Sequence, residues 1–220
     1  LAEFRDLENQ KEFSLVVDES EDFYHLFALA LQGVGNYKEA CSKANKALNL
    51  LRSSTRFDKF ARVQYALGTI YFDMGELKKA EQELRDAIAS FRRIADKKGI
   101  IDVLNELAHL HFVSSDYFKA IEYLNECVIC CDQIKDQKTK AKVSANLGRI
   151  HILIGNWELA ESNLLTATKI HKEYDNKISL CNGLLSLGYV STLRRKFKDA
   201  TSFYEKALKL IYENNYMREM

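Results

Sequence analysis

Cysteine and histidine side chains are the groups in this sequence that could bind a metal ion or act as nucleophiles. Cys127, Cys130 and Cys131 lie together in the stretch CVICC, and His109 lies two residues before His111. Tetrahedral zinc sites take paired ligands from separate stretches of chain, and that pattern is missing here. Residues two apart on a helix point to different faces, so the histidines do not form a chelating pair. A metal protein or an enzyme is therefore the minor alternative, and we expect no catalytic, cofactor or metal residues.

The elements that would position these side chains repeat every forty residues. A small residue recurs once in each copy, at Ala28, Gly68, Ala108, Gly148 and Gly188. Twelve positions later each copy has an alanine, at Ala40, Ala80, Ala120, Ala160 and Ala200. Small residues at matched positions of two consecutive helices let their backbones approach closely, which offsets the roughly 1 kcal/mol that glycine costs inside a helix.

A turn signal separates the two small positions of every copy. The signals are Gly35-Asn36, Gly75-Glu76, Ser115-Asp116, Gly155-Asn156 and Arg195-Lys196. Each is followed by a large residue and then by apolar residues at helical spacing, such as Ala120, Leu124, Cys127 and Cys131. The pattern predicts helical hairpins that bury their apolar faces only by stacking on their neighbours. In this register Cys127 and Cys131 take core positions, and His111 and His151 are expected to pack between helices.

These units resemble tetratricopeptide repeats. In that family a small residue, an aromatic residue, a Gly-Asn or Gly-Asp turn and two alanines recur in the order of Gly68, Tyr71, Gly75, Ala80 and Ala87. The resemblance covers residues 21 to 216 and implies an all-α, right-handed superhelical solenoid of antiparallel helix pairs. We expect one array of five repeats at about 21–60, 61–100, 101–140, 141–180 and 181–220. The absence of proline from the whole sequence agrees with an almost wholly helical chain.

Two features depart from the usual repeat. The period is 40 rather than the usual 34 residues, and we expect the extra residues to lengthen the second helix by about a turn and a half and to add a polar turn. Residues 1–20 fit no complete unit, and Leu1, Phe4 and Leu7 are interpreted as the remnant of a second helix from a preceding repeat. The array is therefore expected to continue in a longer protein.

The resemblance implies a non-enzymatic scaffold for protein–protein interaction. Forty-residue arrays of this kind are similar to those of bacterial signalling and transcription regulators and to those of eukaryotic cell-polarity adaptors, and the motif leaves both lineages open. The leading hypothesis is the sensing or regulatory segment of such a larger protein, which docks a peptide or helix in a concave groove. The alternative is self-association or intramolecular regulation through the acidic N-terminal end.

The predicted groove follows the stripe of each first helix that faces away from its packing stripe, where the resembling family holds a peptide. Its candidate residues are His25, Leu29, Arg62, Tyr65, Thr69, Phe72, Asn105, His109, Phe112, Lys142, Arg149, Ile152, Leu185 and Tyr189. Many are too apolar for a helix face that contacts only solvent, so they are interpreted as anchors for a peptide. The alternative is that helix packing covers them. The basic residues would favour acidic groups in the ligand. The clamp with which some family members hold a chaperone's terminal carboxylate is not reproduced, because His25 and Leu29 stand where its first Lys and Asn would be.

Charge and composition narrow the class of partner. The 32 basic and 31 acidic residues give no overall attraction to nucleic acid or anionic lipid, although residues 1–40 hold only three basic residues against nine acidic ones. The basic stretches KDQKTKAK and RRKFK fall in predicted turns. Five cysteines without a paired framework favour a reducing, cytoplasmic location, and the longest apolar run, Leu26 to Leu31, is too short to span a membrane. We expect a protein or peptide partner, with a homo-oligomer as an option.

Overall fold

Helices account for the regular structure of residues 20–216. The computed structural model describes residues 20–216, with side chains described as far as residue 213, and within that range there are ten α-helices and no strand. The predicted remnant helix of Leu1, Phe4 and Leu7 lies outside the described residues. The helices are α1 (Glu21–Gly33), α2 (Tyr37–Leu51), α3 (Phe57–Asp73), α4 (Leu77–Arg93), α5 (Lys97–Val113), α6 (Tyr117–Ile134), α7 (Gln137–Leu153), α8 (Trp157–Glu173), α9 (Lys177–Leu193) and α10 (Phe197–Tyr216).

The chain divides into two compact units, Leu1–Leu110 and His111–Met220. In the first unit α1 packs against α2, α2 against α3, and α3 against α4. In the second unit the same succession runs from α6 through α7, α8 and α9 to α10. The all-α fold of stacked helix pairs is confirmed, with five pairs in residues 20–216. We call α1, α3, α5, α7 and α9 the first helices, and the partner that follows each of them a second helix.

Close approach within the pairs explains the small residues. A Cβ atom added at Gly68 would lie 2.8 Å from Cγ of Leu84 and 3.2 Å from its backbone nitrogen. At Gly148 it would lie 2.7 Å from Cγ of Leu164 and 3.3 Å from the carbonyl oxygen of Ala160. The alanines at the matched positions of the second helices are buried, as expected for backbones in contact.

The turn inside each pair has left-handed backbone at its central residue. The φ angles are +78° at Gly35, +77° at Gly75, +61° at Ser115, +74° at Gly155 and +59° at Arg195. The following N–H then donates to a carbonyl five residues back, as from Asn36 to Leu31 at 2.9 Å and from Asn156 to His151 at 2.8 Å. This geometry closes the last turn of the first helix and reverses the chain.

The extra residues of each unit lie partly in the first helix, so the expectation that they lengthen the second was incomplete. The first helices from α3 onward have 17 residues each, as do α4 and α8. They begin about four residues before the unit boundaries taken from the sequence. The reason is capping, since side chains within the polar stretches accept the first free N–H groups: Asp96 from Gly99 at 3.0 Å and Asp136 from Thr139 at 3.0 Å.

Candidate ligand-binding surface on the first helices

All fourteen candidate groove residues lie on first helices, and none of them is fully buried. Their distribution over the two units is uneven. Those of the first unit are His25, Leu29, Arg62, Tyr65, Thr69, Phe72, Asn105 and His109; those of the second are Phe112, Lys142, Arg149, Ile152, Leu185 and Tyr189. Ile152 packs against the core cluster that contains Leu164 and Leu187, so helix packing accounts for that side chain.

A cavity of about 320 Å³ in the first unit brings five of these residues together. They are His25 and Leu29 from α1 with Arg62, Tyr65 and Thr69 from α3. The helical spacing within each element was enough to place them on one side, and the stacking of α1 on α3 joins the two groups. Sequence reasoning missed the other wall, to which Phe91, Asp96 and Lys98 contribute. The positions of these three residues within the forty-residue repeat were the sequence signal from which they could have been located.

Opposite charges are balanced in the lining of this cavity, where Arg62 and Lys98 accompany Asp96 and Asp102. The guanidinium of Arg62 lies 3.8 Å from the carboxylate of Asp96. Burial raises the pKa of Tyr65, and the nearby negative charges of Glu106 and Asp102 raise it further. Burial likewise raises the pKa of Glu106, although His109 opposes the rise. Asp96 therefore offsets the positive charge of Arg62, and the expectation that Arg62 favours acidic ligand groups stays a prediction.

Polar and aromatic contacts fix the neighbouring part of the surface. Gln32 of α1 donates from Nε2 to the carboxylate of Asp73 at 2.7 Å and to the hydroxyl of Thr69 at 3.3 Å. The rings of Phe72 and His109 lie 5.0 Å apart in a tilted arrangement. These contacts hold Thr69 and Phe72 in place before any ligand arrives, which reduces the conformational entropy lost on binding.

A second cavity, of about 220 Å³, lies in the second unit between α7, α8 and α9. Lys142 and Arg149 line it together with Asn146, which accepts a hydrogen bond from Nη2 of Arg149 at 2.6 Å. His171 forms part of the floor, and its pKa is lowered by burial and by the charge of Lys142. No carboxylate is among the lining residues of this cavity.

The remaining candidates line neither of these cavities. Phe72, Asn105 and His109 extend the surface of the first unit along α3 and α5, while Phe112, Leu185 and Tyr189 lie exposed in the second unit. A third cavity, of about 210 Å³, lies away from the stripe and was missed by sequence reasoning. Phe57 and Arg93 line it, with the guanidinium carbon 5.6 Å from the centroid of the ring.

The cysteine and histidine side chains considered for metal binding lie in the interior, except for His109, which is exposed. His111 and His151 are buried, and the ring of His111 stacks on Tyr123 at 5.4 Å. Cys127, Cys130 and Cys131 are also buried, and burial raises the pKa of the Cys131 thiol to about 11. The packing role expected of both groups is confirmed. Residues 20–213 contain no cluster of three or more side chains suited to hold a metal ion.

The length and hydropathy of the helices bear on membrane insertion. None of those in the described part of the chain combines the length and the apolar character that a bilayer crossing requires.

Comparison with known proteins confirms the type of repeat. Residues 61–92 match the family model described as "Tetratricopeptide repeat". The crystal structure of BtubC (BKLC) from P. vanneervenii is similar with a TM-score of 0.79 at 18% identity, covering 97% of this chain and 87% of that one. A Rap protein crystallised in complex with competence and sporulation factor gives a TM-score of 0.63 at 18% identity, covering 96% and 63%. At these identities the likeness establishes the fold.

A curated relative is much longer than this chain. The Tonsoku-like protein of Drosophila melanogaster is 22% identical over 179 residues, which is 72% of this chain and 13% of that protein. The chain therefore spans about an eighth of the length of this relative.

Proposed function

We propose that this array of tetratricopeptide-like repeats is a non-enzymatic scaffold whose first helices dock a peptide or helix of another protein. The observation that carries the proposal is the cavity of the first unit, where five residues selected for ligand contact line one space of about 320 Å³. That volume lies within the range of small ligand pockets, and it admits one or two side chains of a docked segment.

Apolar side chains of the candidate stripe would supply the anchors. Leu29 is 40% exposed, Phe112 38%, Leu185 41% and Tyr189 51%. Each lies on a first helix, at the position where the repeat places its outward stripe. Aromatic and aliphatic anchors at helical spacing suit a helix or an extended segment with apolar residues.

Two of the comparisons with known proteins support a regulatory role for the docking of a segment. A Rap protein of the same fold was crystallised in complex with competence and sporulation factor. The relative from Drosophila is a far longer protein than this chain. We therefore assign the chain to the sensing or regulatory part of a larger signalling or transcription-regulating protein, working in the cytoplasm without direct contact with nucleic acid or membrane.

The test is selection of binding peptides from a displayed random library, followed by affinity measurement on variants. Phe72→Ala and Phe112→Ala remove aromatic side chains from the surface, and each should weaken the selected peptides about tenfold or more. Phe118→Ala is the matched control, because Phe118 is 75% exposed on α6, a second helix. Absence of any enriched peptide, or an equal loss with Phe118→Ala, would contradict the proposal.

Self-association is a second candidate, favoured by charge. Residues 1–40 carry three basic and nine acidic residues, whereas residues 136–220 carry 14 basic and 9 acidic ones. Attraction between these regions of two copies should produce dimers that dissociate as salt screens the charges. Light scattering across protein concentration and salt tests this candidate, and a monomer under all conditions would refute it.

A further inference from the structure

The cavities of the two units occupy equivalent positions of the repeat. Two periods, or eighty residues, separate Arg62 from Lys142, Thr69 from Arg149 and Asp102 from Asn182, and each of these six residues lines the cavity of its own unit. The same spacing relates Phe91 to His171 and Gly99 to Ser179. The same kind of cavity therefore occurs at equivalent positions of the repeat in both units, and the two cavities differ in the chemistry of their lining residues.

The difference in charge between the cavities is large. In the first unit two cations, Arg62 and Lys98, are balanced by two carboxylates, Asp96 and Asp102, and Arg62 lies 3.8 Å from Asp96. In the second unit Asn182 replaces the carboxylate of Asp102 and Arg149 replaces a threonine. Neither Lys142 nor Arg149 has an ion-pair partner among residues 20–213. Two positive charges therefore face a cavity whose walls supply no negative one.

Neutral donors complete the lining of the second cavity. Asn146, Ser179 and Asn182 contribute amide and hydroxyl groups, whereas the hydroxyl of Ser186 already donates to the carbonyl oxygen of Asn182 at 2.9 Å. Ser179 belongs to the first turn of α9, where the positive end of the helix dipole favours a negative group. The hydrogen bond from Arg149 to Asn146 also holds the guanidinium beside the cavity before a ligand binds.

We propose that the cavity between Lys142, Arg149 and Asn182 binds a phosphomonoester group on the docked protein segment. A phosphorylated side chain carries a charge of about −1.5 to −2 at neutral pH and three acceptor oxygens, so it matches two cations and several neutral donors better than a single carboxylate does. Lys142 and Arg149 lie two turns apart on one face of α7, about 10.5 Å along the axis, and their long side chains reach a group held between them. The inference rests on the proposed function, since the phosphorylated segment is the docked ligand.

The experiment is a titration followed by backbone amide NMR with three capped tripeptides, Ala-Xaa-Ala, in which Xaa is phosphoserine, serine or aspartate. The phosphoserine peptide should shift the amides of residues 142–149 and 179–186, bind at least about tenfold more tightly than the aspartate peptide, and weaken with added salt. Arg149→Thr, which restores the residue found at the equivalent position 69, should weaken binding about tenfold or more. Lys142→Arg should retain it.

The matched control is Arg62→Ala, which removes the equivalent cation from the first unit and should leave the titration unchanged. Equal affinity for the three peptides, shifts confined to other residues, or an Arg149→Thr variant that binds as well as the parent chain would each overturn the inference. The aromatic anchors give an independent readout: if the tripeptides fail while selected library peptides still depend on Phe72, the phosphomonoester site is refuted and the docking function stands.

Discussion

Substitution of Gly68 by alanine tests whether close helix contact explains the small position of the repeat. Glycine in a helix interior is about 1 kcal/mol less favourable than alanine, so the substitution should stabilise an isolated helix. In this fold the new methyl group would lie 2.8 Å from Cγ and 2.9 Å from Cδ2 of Leu84, which is buried. The leucine cannot move away freely, because its backbone nitrogen lies only 3.2 Å from the same point.

The magnitude follows from these opposing effects. Overpacking of a well-packed core costs about 1–3 kcal/mol, and the backbone contact places Gly68 in the upper half of that range. After the propensity gain of about 1 kcal/mol, the variant should lose about 1–2 kcal/mol of unfolding free energy. Gly33→Ala is the matched control, because a Cβ atom there meets nothing within 4 Å; it should be neutral or stabilising.

Urea unfolding followed by circular dichroism measures both variants, and a double-mutant cycle gives the sharper result. Leu84→Ala alone should cost about 2–5 kcal/mol, because it leaves a cavity. In the Leu84→Ala background the side-chain contacts at 2.8 and 2.9 Å are gone while the backbone contact at 3.2 Å remains, so the Gly68→Ala step should cost clearly less than it does in the parent chain. If Gly68→Ala stabilises the parent chain as Gly33→Ala does, or if its effect is the same with and without Leu84, the packing explanation is refuted.

Three further changes test other features of the fold. Ser115 has a φ of +61° and Gly155 a φ of +74° at equivalent turns. Ser115→Gly should therefore raise the free energy of unfolding and Gly155→Ala should lower it, each by about 1 kcal/mol in urea unfolding. Changes of the same sign in the two variants would contradict the left-handed turn. Arg194→Ala removes ion pairs with Glu158, at 3.0 Å, and with Glu161, and it should lower the urea midpoint less at high salt than at low salt, whereas a salt-independent loss would indicate another cause. Burial lowers the pKa of His151, so the unfolded chain binds a proton at this residue more readily than the folded chain does. The free energy of unfolding should therefore fall as pH drops below about 6.5. His151→Phe should reduce that fall, and an unchanged pH dependence would exclude the contribution of His151.

Much of the fold was predictable because the information is local and recurs. The small residue, the turn signal and the matched alanine each appear five times, so chance variation in one copy does not hide the pattern. The helix starts were harder to locate, since stretches such as ADKKG look like turns in composition. In the structure only its cap, Asp96, and the residue before it remain outside the helices, while Lys97 and Lys98 form the exposed first turn of α5.

The chemistry of the candidate surface was less predictable than its location. Helical spacing alone placed Tyr65 and Thr69 on one side of α3. The partner of Arg62 was not evident from that spacing, because Asp96 is 34 residues away and lies in a turn, so the side-chain contact depends on how α3 and α5 stack. The same stacking decides which of several similar basic residues stays without a counter-charge.

The succession of helix contacts within each unit also bears on how the chain folds. Strong packing joins helices that are consecutive in sequence, as in α1 with α2 and α2 with α3. Such contacts close only short loops, so the loss of chain entropy before they form is small. The fold therefore has a low contact order, and folding should be fast for a chain of this length. Any adjacent pair of helices can act as the nucleus, and growth from it proceeds by adding one neighbour at a time.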